Sequence, residues 1–140
     1  MDVKNLEYPP KILLAWAEAI GGNGKIRDWL ISNGYPELGI FTFALRNKED
    51  ARQWLMDKGF PHLMAMINAC ERNQRAIEWL TKHDFIILLH MGLAADGNEE
   101  SFQWLRSNGH FEAAMIAKRM EVVKDEIEEN NNDPHRISPD

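Results

Sequence analysis

Apolar positions along the chain follow two nested periods. At long range, Trp-Leu recurs at Trp29-Leu30, Trp54-Leu55, Trp79-Leu80 and Trp104-Leu105, a spacing of 25 residues without gaps. In that frame the chain reads as four copies: GKIRDWLISNGYPELGIFTFALRNK from residue 24, EDARQWLMDKGFPHLMAMINACERN from 49, QRAIEWLTKHDFIILLHMGLAADGN from 74 and EESFQWLRSNGHFEAAMIAKRMEVV from 99. At short range, Ile26, Trp29 and Leu30 follow the i, i+3, i+4 rule for one buried helical face, so the Trp and Leu columns are both assigned to the core. Position 26 continues as Ala51, Ala76 and Ser101, small enough for helices to approach, while Asp28, Gln53, Glu78 and Gln103 form the polar face.

A second helix is predicted in each copy. Its core columns hold Leu38, Phe41, Ala44 and Leu45, then Leu63, Met66, Ala69 and Cys70, then Leu88, Met91, Ala94 and Ala95. The punctuation agrees. Asn23, Asn73 and Asn98 precede the Trp helix as N-caps, with Asn47 one residue off in the remaining copy. Gly34, Gly59 and Gly109, with Asp84 in the third copy, occupy the left-handed position that ends it. Pro36 and Pro61 then open the second helix, where a missing N–H costs nothing.

Helices of about ten residues are unstable alone, so the pairs must stack. Upstream, Pro9 and Pro10 open a half-unit that buries Leu13, Trp16 and Ile20 before Gly21 and Gly22 stop it. Downstream, Arg119 replaces the Ala44 column and the helical pattern runs on through Val122, Val123 and Ile127, which reads as a solvated cap. The expected fold is all-α: an α-solenoid of short antiparallel helix pairs, four 25-residue units with an N-terminal half-unit and a C-terminal cap helix. It forms a single domain over residues 1–129, followed by a disordered acidic and polar tail over 130–140, where three asparagines and two prolines leave little to bury.

Composition adds constraints. At 140 residues, 44% hydrophobic and 27% charged, the chain fits one soluble domain. No apolar run approaches the roughly 18 residues of a membrane span, and no signal-peptide pattern opens the sequence, so a cytoplasmic protein without membrane contact is expected. The net charge of −6 divides into −1 over residues 1–120 and −5 beyond them, which leaves the body without a basic stripe for nucleic acid.

Candidate chemistry is sparse. Gly21-Gly22-Asn23-Gly24 lacks the lysine and hydroxyl of a phosphate loop. Cys70 falls in a core column, as an inert thiol would. His62, His83, His90 and His110 occupy different repeat columns without metal-ligand spacing, so neither metal nor cofactor is expected. One feature stands out as functional. The side of the second helix facing away from the core carries Ile40 and Phe43, Ala65 and Asn68, His90 and Leu93, and Met115 and Lys118. It is more apolar than an outward face should be. Either it is an inner layer covered by loops and the last helix, or it is an apolar groove or homodimer face.

The stretches GNEESFQWLRSNG at 97–109 and NKEDARQWLMDKG at 47–59 resemble the second helix of an ankyrin repeat with its following glycine. The likeness extends over about residues 10–123. An ankyrin unit is ~33 residues with a β-turn finger and a Thr-Pro-Leu-His opening, whereas these units have 25 residues and neither feature. The resemblance is therefore to a degenerate, fingerless ankyrin-like array, and it implies protein–protein recognition without catalysis. The candidate partner-binding residues are Ile40, Phe43, Asn68, His90, Leu93 and Met115, for a protein or peptide partner, with homodimerisation also open. The competing expectation is a small-ligand protein or enzyme with a pocket gathering His90, Asn68 and Asp96, since such a histidine titrates near neutrality.

Overall fold

A computed structural model describes residues 6–132. Nine helices and no strand occur among them. They are α1 (Pro10–Ile20), α2 (Gly24–Ser32), α3 (Pro36–Leu45), α4 (Glu49–Asp57), α5 (Pro61–Cys70), α6 (Gln74–Lys82), α7 (Ile86–Ala95), α8 (Glu99–Ser107) and α9 (Phe111–Asn132). Consecutive helices pack on one another, consistent with a solenoid, and the four Trp-Leu pairs occupy equivalent places in α2, α4, α6 and α8.

The predicted punctuation forms as geometry. Asn23, Asn73 and Asn98 accept hydrogen bonds from the backbone N–H groups of Ile26 (3.1 Å), Ala76 (3.1 Å) and Ser101 (2.9 Å), caps worth about 0.5–2 kcal/mol each. Gly34, Gly59, Asp84 and Gly109 all have positive φ. Asn47 departs from the expected pattern. It lies in a second left-handed column, with Gly22, Arg72 and Gly97, that ends the inner helices, and α4 starts from Lys48 without a side-chain cap.

Helices α1, α3, α5, α7 and α9 form an inner set, with α2, α4, α6 and α8 outside. The 25-residue period continues through all five inner helices. Trp16, Phe41, Met66, Met91 and Ile116 make one column with no exposed surface, in which Trp16 and Phe41 meet edge-on at 5.0 Å. Two inner glycines set spacing. A Cβ on Gly92 would lie 2.9 Å from the Met66 carbonyl oxygen, and one on Gly39 would lie 2.9 Å from that of Arg27, so α7 closes on α5 and α3 closes on α2.

Three further sequence expectations need correction. The Trp column is not core: Leu30, Leu55, Leu80 and Leu105 are 0% exposed, but Trp29 is 49% exposed and Trp54, Trp79 and Trp104 are half-buried. Neighbouring helical positions point 100° apart, and a nine-residue helix lying over the groove between two inner helices buries only the narrower stripe that holds Leu and the small residue. The last helix is not a solvated cap either. It packs along both α7 and α1, burying Ile116, Met120 and Val123, and closes the row of inner helices. Arg119 is exposed, as expected, but its guanidinium reaches Glu18 of α1 at 3.4 Å. Helix α9 also continues to Asn132, so residues 130–132 are helical where a disordered tail was expected; positions 133–140 lie outside the described residues.

Beyond Met120, α9 crosses the C-terminal ends of α3 and α5. Lys124 donates to the Leu45 carbonyl (3.2 Å), to Asn47 (3.4 Å) and to the Glu71 carboxylate (2.6 Å). From the other side Arg52 donates to the Ala44 carbonyl (2.9 Å), Asn47 (2.8 Å) and Glu71 (2.8 Å). Cations thus satisfy orphan carbonyls at the end of α3 while one carboxylate joins three elements. Burial alone would push the Glu71 carboxyl up, but its hydrogen bonds from Arg52 and Lys124 outweigh that and hold it below its ordinary value.

Candidate functional site

Clefts lie where α3 meets α4, α5 meets α6 and α7 meets α8, and the three repeat in register. The first is formed by Ile40, Phe43, Lys48, Asp50, Ala51 and Trp54, with a volume of about 370 Å³. One unit on, Ala65, Asn68, Asn73, Arg75, Ala76 and Trp79 hold the same places in a cleft of about 320 Å³, with Met56, Pro61 and Met64 added. A further unit on, His90, Leu93, Asn98, Glu100, Ser101 and Trp104 do so in one of about 550 Å³. Five of the six candidates therefore line the row. Of the stripe residues only Ala65, at 8% exposure, is buried among these three pairs; Ile40, Phe43, Asn68, His90 and Leu93 are half-buried. Met115 does not join them, because no outer helix follows α9 among the described residues.

The wall of every cleft is a tryptophan held by aromatic contacts. Trp54 stacks on Phe60 at 6.0 Å, and Trp79 on Phe85 at 5.4 Å with His83 at 4.5 Å. Trp104 lies between His90 at 4.1 Å and His110 at 5.6 Å. These rings are stiff, with few rotatable bonds to immobilise on binding, and they are half-buried where they line the clefts. Sequence reasoning missed them by counting them as core. The signal that could have revealed them is their i+3 offset from a small residue that Leu at i+4 already complements.

The floor changes along the row. Phe43 receives the Arg27 guanidinium over its ring at 4.7 Å; Asn68 offers an amide. His90 places Nδ1 3.0 Å from Ser101 Oγ, and burial holds its imidazole below the ordinary histidine value, hence neutral at pH 7. This His–Ser pair is not arranged for nucleophilic attack: Ser101 is 4% exposed, and no hydrogen bond orients the other ring nitrogen among the described residues. Rim charges alternate, with Lys48 and Asp50, then Arg75, then Glu100.

The pocket imagined around His90, Asn68 and Asp96 does not assemble. His90 and Asn68 line successive clefts, and Asp96 lies in a separate polar cleft of about 280 Å³ under α9, with Cys70, Glu71, Glu121 and Lys124. Burial pushes the Cys70 thiol there up to about 12, with Lys124 opposing and nearby carboxylates reinforcing. His62 is buried, stacks on Phe85 at 5.4 Å and is held below its ordinary value by burial. No group of three or more His, Cys, Asp or Glu side chains suited to a metal ion occurs among the described residues, and no described helix is long and apolar enough to cross a membrane. Comparison with known proteins matches no family model, no curated protein and no solved structure.

Proposed function

We propose that the protein is a non-catalytic recognition module, a fingerless ankyrin-like scaffold of four 25-residue units, whose row of clefts takes a protein or peptide partner. The observation that carries this reading is the threefold recurrence of a half-buried tryptophan wall in register with a half-apolar floor. Stiff aromatics beside polar rims are the composition of binding surfaces. Inner helices packed about 8–10 Å apart would set the clefts at intervals matching about three residues of an extended peptide at ~3.3 Å each. Ile40, Phe43, Asn68, His90 and Leu93 then contact every third side chain of the partner. The lone cysteine and the absence of a membrane-spanning helix among the described residues are compatible with a cytoplasmic setting.

The test is peptide display against the folded protein, followed by titration of enriched peptides with the Phe43→Asp and Leu93→Asp variants. The reading requires enriched sequences whose affinity drops at least tenfold in both. Failure to enrich any sequence, together with thermal stabilisation by one metabolite, would transfer support to the small-ligand reading around His90.

A further inference from the structure

Five inner helices and four outer helices among the described residues make an uneven set. Around the closed row, α2 lies over α1 and α3, α4 over α3 and α5, α6 over α5 and α7, and α8 over α7 and α9. The fifth seam, where α9 meets α1, has no outer helix among the described residues.

The repeat shows which columns an outer helix covers. The column of Gly39, Met64, Leu89 and Ala114 faces the preceding outer helix, as the approach of Gly39 to Ile31 and Arg27 of α2 makes plain. Gly39, Met64 and Ala114 are buried and Leu89 is half-buried; their counterpart on α1, Leu14, is 43% exposed. The column of Ile40, Ala65 and His90 faces the following outer helix, as His90 shows by its contacts with Ser101 and Trp104. These three are half-buried or buried, whereas their counterpart on α9, Met115, is 41% exposed.

Leu14 and Met115 each lie one turn before the Glu18–Arg119 ion pair that ties the two helices, so both flank the same seam. Phe111, 58% exposed, and Val122, 55% exposed, extend the stripe along α9 at helical spacing. Leucine, phenylalanine, methionine and valine occupy an outward face at the one seam that no outer helix covers among the described residues. An ordinary solvated surface would carry polar residues there.

We propose that the α9–α1 seam docks a single amphipathic helix of a partner protein, one bearing the face found in three of the four covered seams: Trp-Leu preceded, four residues before the Leu, by a small residue such as Ala or Ser. The occupant's chemistry follows from the chain itself. In each covered seam the outer helix inserts a fully buried Leu and, four residues earlier, a small residue in three of four cases, so a helix of that pattern fits a seam of the same register. This surface is separate from the row of clefts, and the two sites can be perturbed independently.

The experiment uses the full chain and an acetylated, amidated, fluorescein-labelled peptide with the sequence of residues 97–109, GNEESFQWLRSNG, read by fluorescence anisotropy. Saturable binding is expected. It should weaken at least tenfold for a peptide carrying Leu105→Asp, and for protein carrying Leu14→Glu or Met115→Glu, while Phe43→Asp in the clefts leaves it unchanged. Leu14→Lys serves as the second variant should Leu14→Glu unfold. No saturable binding, equal binding by the seam variants, or loss with Phe43→Asp alone would each overturn the proposal. So would sedimentation showing a dimer that Met115→Glu dissociates, since a second copy would then be the occupant.

Discussion

Replacing Glu71 with Gln probes the junction that closes the array. The carboxylate accepts from Arg52 at 2.8 and 3.3 Å and from Lys124 at 2.6 Å, and the three side chains are 28%, 18% and 16% exposed. Gln keeps the shape but leaves two cations without their counter-charge. Breaking a fully buried pair costs about 3–5 kcal/mol. Because these groups retain some solvent, screening cuts the expected loss to about 1.5–3 kcal/mol, a fall in Tm of about 5–10 °C for a domain of this size. Urea unfolding of wild type, Glu71→Gln, Lys124→Met and the double variant isolates the link to α9. The cycle should return a coupling of about 1–2 kcal/mol. The same carboxyl titrates below its ordinary value in the folded protein, so its contribution is complete above pH ~4.5 and is lost as the pH falls through the lowered value. Additivity within about 0.5 kcal/mol would refute the view that Glu71 holds α9 across the ends of α3 and α5.

Leu80→Ala, which empties a fully buried site that Ala76 cannot fill, should cost about 2–5 kcal/mol in denaturant unfolding. His62 and His90 are both held below the ordinary histidine value by burial, so the unfolded chain binds more protons near pH 6. Stability should therefore be full above pH 7 and fall as the pH drops below about 6.5, with a smaller drop for His62→Phe; melts across that range measure it. Cys70 should react with a thiol reagent only as fast as the protein opens, so that mild denaturant accelerates labelling sharply.

Most of the fold was legible because its signals are local. Asn23, Asn73 and Asn98 cap helices in any context, Asp84 and the turn glycines need only a left-handed backbone, and Pro36 and Pro61 fix their own φ. The 25-residue period then supplied the stacking. What stayed hidden depends on where the row ends. Nothing near Arg119 or Lys124 in sequence announces Glu18 or Glu71 as partners, because both contacts exist only once the intervening helices have brought α9 against the earlier ones. The misassigned tryptophans reflect a different limit. Periodicity names a face, but how wide a stripe a nine-residue helix buries depends on the neighbours beneath it. The stripe from Ile40 to Leu93 was visible as a pattern, whereas the facing walls at Trp54, Trp79 and Trp104 required the next unit in place.

The chain carries its own reporters for the central claim. Five indole N–H signals can be followed by heteronuclear NMR while a display-selected peptide is titrated in. Trp54, Trp79 and Trp104 line the clefts, Trp29 stands outside them, and Trp16 is sealed in the core with no partner for its Nε1 among the described residues. The account predicts that the three cleft indoles shift together, saturating at one affinity, while those of Trp16 and Trp29 stay in place. A bound peptide that moves Trp29 alone, or none of the five, would contradict it.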